Sequence, residues 1–251
     1  MAIQKTEAIV LKTQPFRSTS LIVTLFSREF GKLRGLVKGV RQERELRGPM
    51  FELFTRLEMI FYEKQRSDLH LISDAVILES YDALHSRLEA IAYGSYFSEL
   101  VDATTEVHDP HEKIYDLLDF SYRYVPVLPG ERISSLFEVK LLNEIGWLPY
   151  LETCLSCQKT ALEKGFFSPR QGALYCETCG PRIPDAVALN REPLSVLRYY
   201  IQHDLEECLK LGMSRQTELE LALLMENFLM ERTGKPFKTR LFLEKIKPAL
   251  K

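Results

Sequence analysis

The sequence has no uninterrupted apolar run approaching the ~18 residues of a membrane-spanning helix. Lys5, Glu7 and Lys12 break up any secretory h-region, so a cytoplasmic location is expected. No GxxxxGK[ST] phosphate loop occurs, and Gly234-Lys235-Pro236 lacks its context. No GxSxG elbow occurs either. Asp102, Glu106, Asp109, Glu112, Asp116 and Asp119 space themselves around solvated helix faces and do not converge as a metal-nuclease cluster would. His108 and His111 bracket Asp109-Pro110, which reads as a helix start with surface histidines. No catalytic residue is expected. Cysteine is sparse, at five, and in a reducing compartment this argues against a disulfide framework. Net charge is only −2, so no whole-molecule attraction to nucleic acid is expected.

The charge that is present is unevenly placed. Residues 1–79 carry 13 Lys+Arg and 10 Asp+Glu; residues 80–153 carry 5 and 13; residues 154–251 carry 15 and 12. A basic head, an acidic middle and a basic tail suggest modules with different partners. The head reads as five short strands, at 2–11, 20–27, 32–40, 50–62 and 68–79, with turn signals between them. That count fits a small barrel of the OB or SH3 type, or half a sandwich. After Ser80 the apolar period becomes helical, predicting helices over 82–105, from Asp109 to about Tyr124, and over 131–145, the last stopped by Gly146. Further helices are expected at 191–211 and 214–232.

Between them stands Cys154-Leu-Ser-Cys157, followed after 18 residues by Cys176-Glu-Thr-Cys179. Two CxxC turns at that separation can close a tetrahedron of thiolates around one zinc ion, with the intervening Phe166–Tyr175 stretch as a hairpin. Four thiolates leave no position open for water, so the zinc is expected to be structural. Cys208 falls in a predicted helix as a small core residue.

Within GKLRGLVKGVR, residues 31–41, Lys32, Arg34 and Lys38 alternate with Leu33, Gly35, Val37 and Gly39, giving a strand with one cationic face. Such a face can simply be solvated. Its continuation into Arg41 and Arg44 favours a track for a phosphate backbone.

The run AIVLKTQPFRSTSLIVTLFSREFGKLRGLVKGVR resembles the start of the bacterial recombination mediator family RecO. The stretches SLFEVKLLNEIGWLPYLETCLSC and GKPFKTRLFL resemble later segments of the same family, in the same order. The resemblance implies an α+β multidomain protein: an N-terminal five-stranded OB-fold barrel over 1–80, then an α-helical domain over 81–251 with a four-cysteine zinc-binding insertion at 150–182. It also implies a DNA repair and homologous recombination mediator, not an enzyme. Such a protein binds single- and double-stranded DNA, anneals strands, and with RecR helps load recombinase onto DNA coated with single-strand-binding protein. It binds the acidic C-terminal tail of that protein too. For the tail the expected cations are Arg132 and Lys140, beside the stripe Ile133, Leu136, Phe137 and Leu141. The other readings are an RNA-binding OB-fold protein or a nuclease accessory subunit.

Overall fold

The structure is a computed structural model that describes residues 2–40, 48–64 and 67–246. Five strands, β1 (Ala2–Phe16), β2 (Ser20–Ser27), β3 (Gly31–Val37), β4 (Arg56–Glu63) and β5 (Leu69–Glu79), close a barrel in the order β1-β2-β3-β5-β4. All neighbours are antiparallel except β3 and β5, which pair in parallel over 34–37 and 69–72. This is the α+β layout expected, with a five-stranded barrel of OB order at the N-terminus. Alternation builds it. Ala8, Val10, Val23, Leu25, Leu33, Val37, Leu57, Met59, Phe61 and Ile72 point inward and are buried. Apart from Ala8, each of these side chains contributes about 1.5–3 kcal/mol on leaving water. At Gly35 an added Cβ would overlap the Ile72 side chain, so the glycine lets Ile72 fill the barrel interior.

The strand ends differ from the sequence reading in two places. β1 runs on to Phe16 through an irregularity between Val10 and Lys12. The fourth strand begins at Arg56, not at 50, because Gly48-Pro49 starts a short 3-10 turn over Pro49–Phe51. Phe54 then takes a left-handed φ of 70° while its N–H reaches the Val10 carbonyl at 3.1 Å.

The chain packs as two compact units, residues 1–127 with 237–251, and residues 128–236. In the first, the barrel is followed by α1 (Asp82–His85), α2 (Leu88–Thr104) and α3 (Glu112–Tyr124). The helix expected over 82–105 is thus broken at Ser86-Arg87. The helix expected from Asp109 starts at Glu112 instead. The Asp109 carbonyl lies so close to Gly31 that it leaves no room for a Cβ there, so Asp109-Pro110 belongs to a packed connector. Charge fastens α3 to the barrel. Arg56 lies 3.7 Å from Glu7 and 3.8 Å from Asp119. Arg123 binds Asp119 at 3.0 Å and Glu79 at 3.3 Å. Tyr81 donates to Asp119, and Arg28 covers the Tyr115 ring at 4.5 Å. The late helix Lys238–Ile246 also belongs to this unit. The Glu99 carboxylate of α2 accepts from its first N–H groups, Lys238 at 3.1 Å and Thr239 at 2.9 Å, as a cap supplied from another helix.

In the second unit, α4 (Gly130–Glu144) ends at Gly146, whose φ of 72° supplies the left-handed stop. The cysteine region contains β6 (Gly165–Ser168), β7 (Ala173–Tyr175) and β8 (Val187–Leu189), ordered β7-β6-β8. The predicted hairpin is present, with a third strand added. Then come α5 (Arg191–Gln202), α6 (Leu205–Lys210) and α7 (Arg215–Thr233). The single helix expected over 191–211 is split because Asp204 starts a capping box with Glu207. With these elements in place, the late helix Lys238–Ile246 is α8.

Candidate nucleic-acid interface and metal centre

Residues paired across neighbouring strands project to the same side of a sheet. The registers therefore fix what the barrel exterior displays. One row runs Gln14, Ile22, Leu36, Leu71, Tyr62, Ile3 around five strands. None of the six is buried. The next row holds Lys12, Thr24, Arg34 and Leu69. On the other side lie Phe16 opposite Ser20, with Lys38 one residue beyond β3. Lys12, Arg34 and Lys38 are exposed, and Arg17 stands over the Phe16 ring at 5.3 Å. The exterior thus presents an apolar band rimmed by cations. Bases can lie on such a band while the rim meets phosphates. Lys12 and Tyr62 were not singled out in the sequence. Only the register, which needs pairings between distant strands, brings them beside Arg34.

Lys32 departs from the alternation argument. It does point outward, but its row is Ile9, Phe26, Lys32, and all three are buried. The segment after α2 covers that end of the barrel. Lys32 Nζ donates to the Asp102 carbonyl at 2.6 Å and the Thr105 carbonyl at 2.7 Å, and lies 3.4 Å from the Asp102 carboxylate. Its ammonium is a bracket between β3 and the connector. Arg34 and Lys38 remain on the open face. Arg41 and Arg44 lie outside the described residues.

In the second unit, the Arg132 guanidinium donates to the carbonyls of Leu209 and Leu211. The Lys140 ammonium donates to the His203 carbonyl. Burial lowers the Lys140 pKa against the pull of Asp204, Glu144 and Glu207. Ile133, Leu136, Phe137 and Leu141 are all core. The helical stripe that the sequence offered as a groove wall is interior packing.

The sulfurs of Cys154, Cys157, Cys176 and Cys179 lie within 4.8 Å of one another. Cys157 Sγ and Cys176 Sγ are 3.8 Å apart. A tetrahedral site with Zn–S of ~2.3 Å requires S···S edges of about 3.8 Å, so the cluster fits. Two tight turns deliver the thiols: Gln158 N–H returns to the Cys154 carbonyl at 2.9 Å, and Gly180 N–H to the Cys176 carbonyl at 2.8 Å. Burial alone would raise the Cys154 thiol, but the N–H groups of Cys176, Cys157 and Ser156 outweigh it and hold it at about 6. Its neighbours drive Cys179 the other way, up to about 12. Four thiolates this close repel, and a divalent cation is what lets all four ionise together. The donor set suits a soft, tetrahedral ion.

Comparison with known proteins agrees with these features. The family described as "Recombination protein O N terminal" matches residues 1–81, and "Recombination protein O C terminal" matches residues 85–241. A "DNA repair protein RecO" of Pelotomaculum thermopropionicum is 27% identical over 245 residues, covering 98% of this chain and 95% of that protein. One of Syntrophus aciditrophicus is 28% identical over 250 residues, covering 98% and 96%. One of Halalkalibacterium halodurans is 26% identical over 243 residues, covering 96% and 94%. Among the described residues, no helix is long and apolar enough to cross a membrane.

Proposed function

The chain belongs to the RecO family, and its function is in DNA repair; from that premise we propose that it works by binding DNA on the open barrel face, without turnover. Single and double strands are held through Lys12, Arg34 and Lys38, with Arg41 and Arg44 continuing the track. The observation that carries this reading is the cation-rimmed apolar row that five strand registers assemble. Phosphate contacts give affinity without base information, so little sequence preference is expected. A protein that holds strands by their backbones leaves base edges free to pair, which is what annealing requires. In the same reading it joins RecR in loading recombinase onto DNA coated with single-strand-binding protein, at the nucleoid in the cytoplasm.

The test is binding of matched DNA and RNA oligonucleotides at several salt concentrations, with a strand-annealing assay. Arg34→Ala with Lys38→Ala should weaken binding and lower the salt slope by roughly 0.7 per lost contact on single strands. An unchanged slope removes this face from the reading.

One structural zinc ion per chain is proposed at Cys154, Cys157, Cys176 and Cys179, supported by the spacing of their sulfurs. For the tail of single-strand-binding protein, Arg132 and Lys140 are the cations proposed. Both already hold carbonyl oxygens, so the tail would be drawn by their charge. Titration of a tail peptide against the Arg132→Glu, Lys140→Glu variant decides it: unchanged affinity removes α4 from that site.

A further inference from the structure

A pair of histidines that the DNA reading does not use stands at the junction of barrel and connector. His70, on β5, is 2% exposed. His108, in the connector between α2 and α3, places its Nε2 at 3.3 Å from His70 Nε2. The backbone N–H of Lys64 donates to His70 Nδ1 at 3.2 Å. That bond fixes the protons of the pair. A neutral His70 that accepts on Nδ1 carries its hydrogen on Nε2, and donates it to His108 Nε2. His108 then carries its own hydrogen on Nδ1.

The connector also meets β3 through its backbone here, and Asp109 packs against Gly31 one residue further on. His108 N–H donates to the Lys32 carbonyl at 3.1 Å, and Val107 bridges Lys32. His108 itself sits at a left-handed φ of 62°, a region uncommon for non-glycine residues though entered by histidine more often than by most. Beneath it lies the Lys32 ammonium, tied to the Asp102 and Thr105 carbonyls.

We propose that His70 and His108 form an acid-released latch, which keeps the connector closed over Lys32 while both rings are neutral and lets it open when the pair takes a proton. Every route for that proton costs a hydrogen bond. A proton on His70 Nδ1 meets the Lys64 N–H. One on His108 Nε2 meets the His70 N–H. Burial, and next the neighbouring His108, lower the His70 pKa below its ordinary value. The latch therefore stays shut at neutral pH and yields as pH falls below the ordinary histidine value of about 6.5.

The charged groups around the pair do not prevent this. Glu63 and Asp68 favour protonation of His70 and Lys64 opposes it, yet burial prevails. Glu63 is engaged by Gln4 and Glu29 by Thr6, while on the connector Asp109 faces His111 at 3.0 Å. These groups line or flank a pocket of about 370 Å³ that both rings also line. A metal ion is a poorer occupant. An imidazole that ligates through Nε2 must carry its hydrogen on Nδ1, where the Lys64 N–H already points.

The experiment is amide hydrogen exchange of the full chain at pH 7.5 and 5.5, corrected for intrinsic rates. Protection of the His108 amide should fall at least tenfold on acidification, while that of the Val10 amide, bonded inside the barrel, should hold. In the double variant His70→Gln, His108→Asn, which keeps a side-chain acceptor near Lys64, tolerates the left-handed backbone and leaves neither ring to titrate, protection should be the same at both pH values. Equal protection of wild-type His108 at both pH values would overturn the latch, as would an equal fall in the double variant. Nitrogen NMR of the imidazoles gives a check that needs no variant. At pH 7.5 His70 should be unprotonated on Nδ1, and a protonated Nδ1 would also overturn it.

Discussion

Replacing Lys32 with Met removes the ammonium that joins the Asp102 and Thr105 carbonyls while keeping the buried stem. One buried and one half-buried acceptor lose their donor, so unfolding free energy should drop by about 1–3 kcal/mol in denaturant titration. The salt slope of DNA binding should stay as it is. Arg34→Ala should do the reverse, leaving stability within about 0.5 kcal/mol and reducing the slope. If the two variants behave alike, the division between a bracketing and a phosphate-binding cation fails. These residues also show what could be read beforehand. Period-two alternation assigned Lys32, Arg34 and Lys38 to the outer side, and all three are there. It could not say that the Lys32 end of that side is roofed by a segment some seventy residues later. For the four cysteines the sequence sufficed, because the spacing within each turn and one short hairpin decide whether the thiols meet.

At the level of elements, the five strands were legible because each is a short run whose buried face shows as alternation. The misplaced helix ends were not. Asp109-Pro110 has the local chemistry of a helix start, but packing against Gly31 takes it for the connector. Asp204 hid a cap inside an apolar period long enough for one helix. The fastening of α3 to the barrel makes a prediction at this scale. Burial would raise the Asp119 carboxyl, but hydrogen bonds from Arg123 and Tyr81 prevail and hold it below its ordinary value. A carboxylate depressed in the folded state adds stability above its unfolded pKa, near 3.9, and loses it as pH falls below that. Asp119→Asn should therefore be less stable than wild type at pH 7, and the gap should shrink by pH 3. Urea midpoints at the two pH values measure it, and a gap that is constant with pH assigns the cost to packing instead.

On the scale of the whole molecule, the division into units could not be read from composition, since the two halves of the first unit lie at opposite ends of the chain. Nothing in GKPFKTRLFL says that its helix belongs beside α2. The link is Glu99 capping Lys238 and Thr239 across 139 and 140 residues, with the Tyr96 and Phe237 rings 5.9 Å apart. Glu99→Gln keeps the shape but loses the charge at a helix N-terminus, and should lower stability by roughly 0.5–2 kcal/mol, seen as faster exchange in α8. An unaltered exchange rate there would mean that the cap contributes nothing. The same cap has a consequence during synthesis. Domains generally fold in order as they leave the ribosome, at about 5–20 residues per second. Here the barrel can close once Glu79 has emerged, but the surface of α2 around Tyr96 and Glu99 waits for residues 237–246. Translation of the intervening residues takes roughly 7–28 seconds at those rates. For that interval the first unit stands finished on one side and open on the other, and a nascent chain stalled before Phe237 should bind chaperones that the released protein does not.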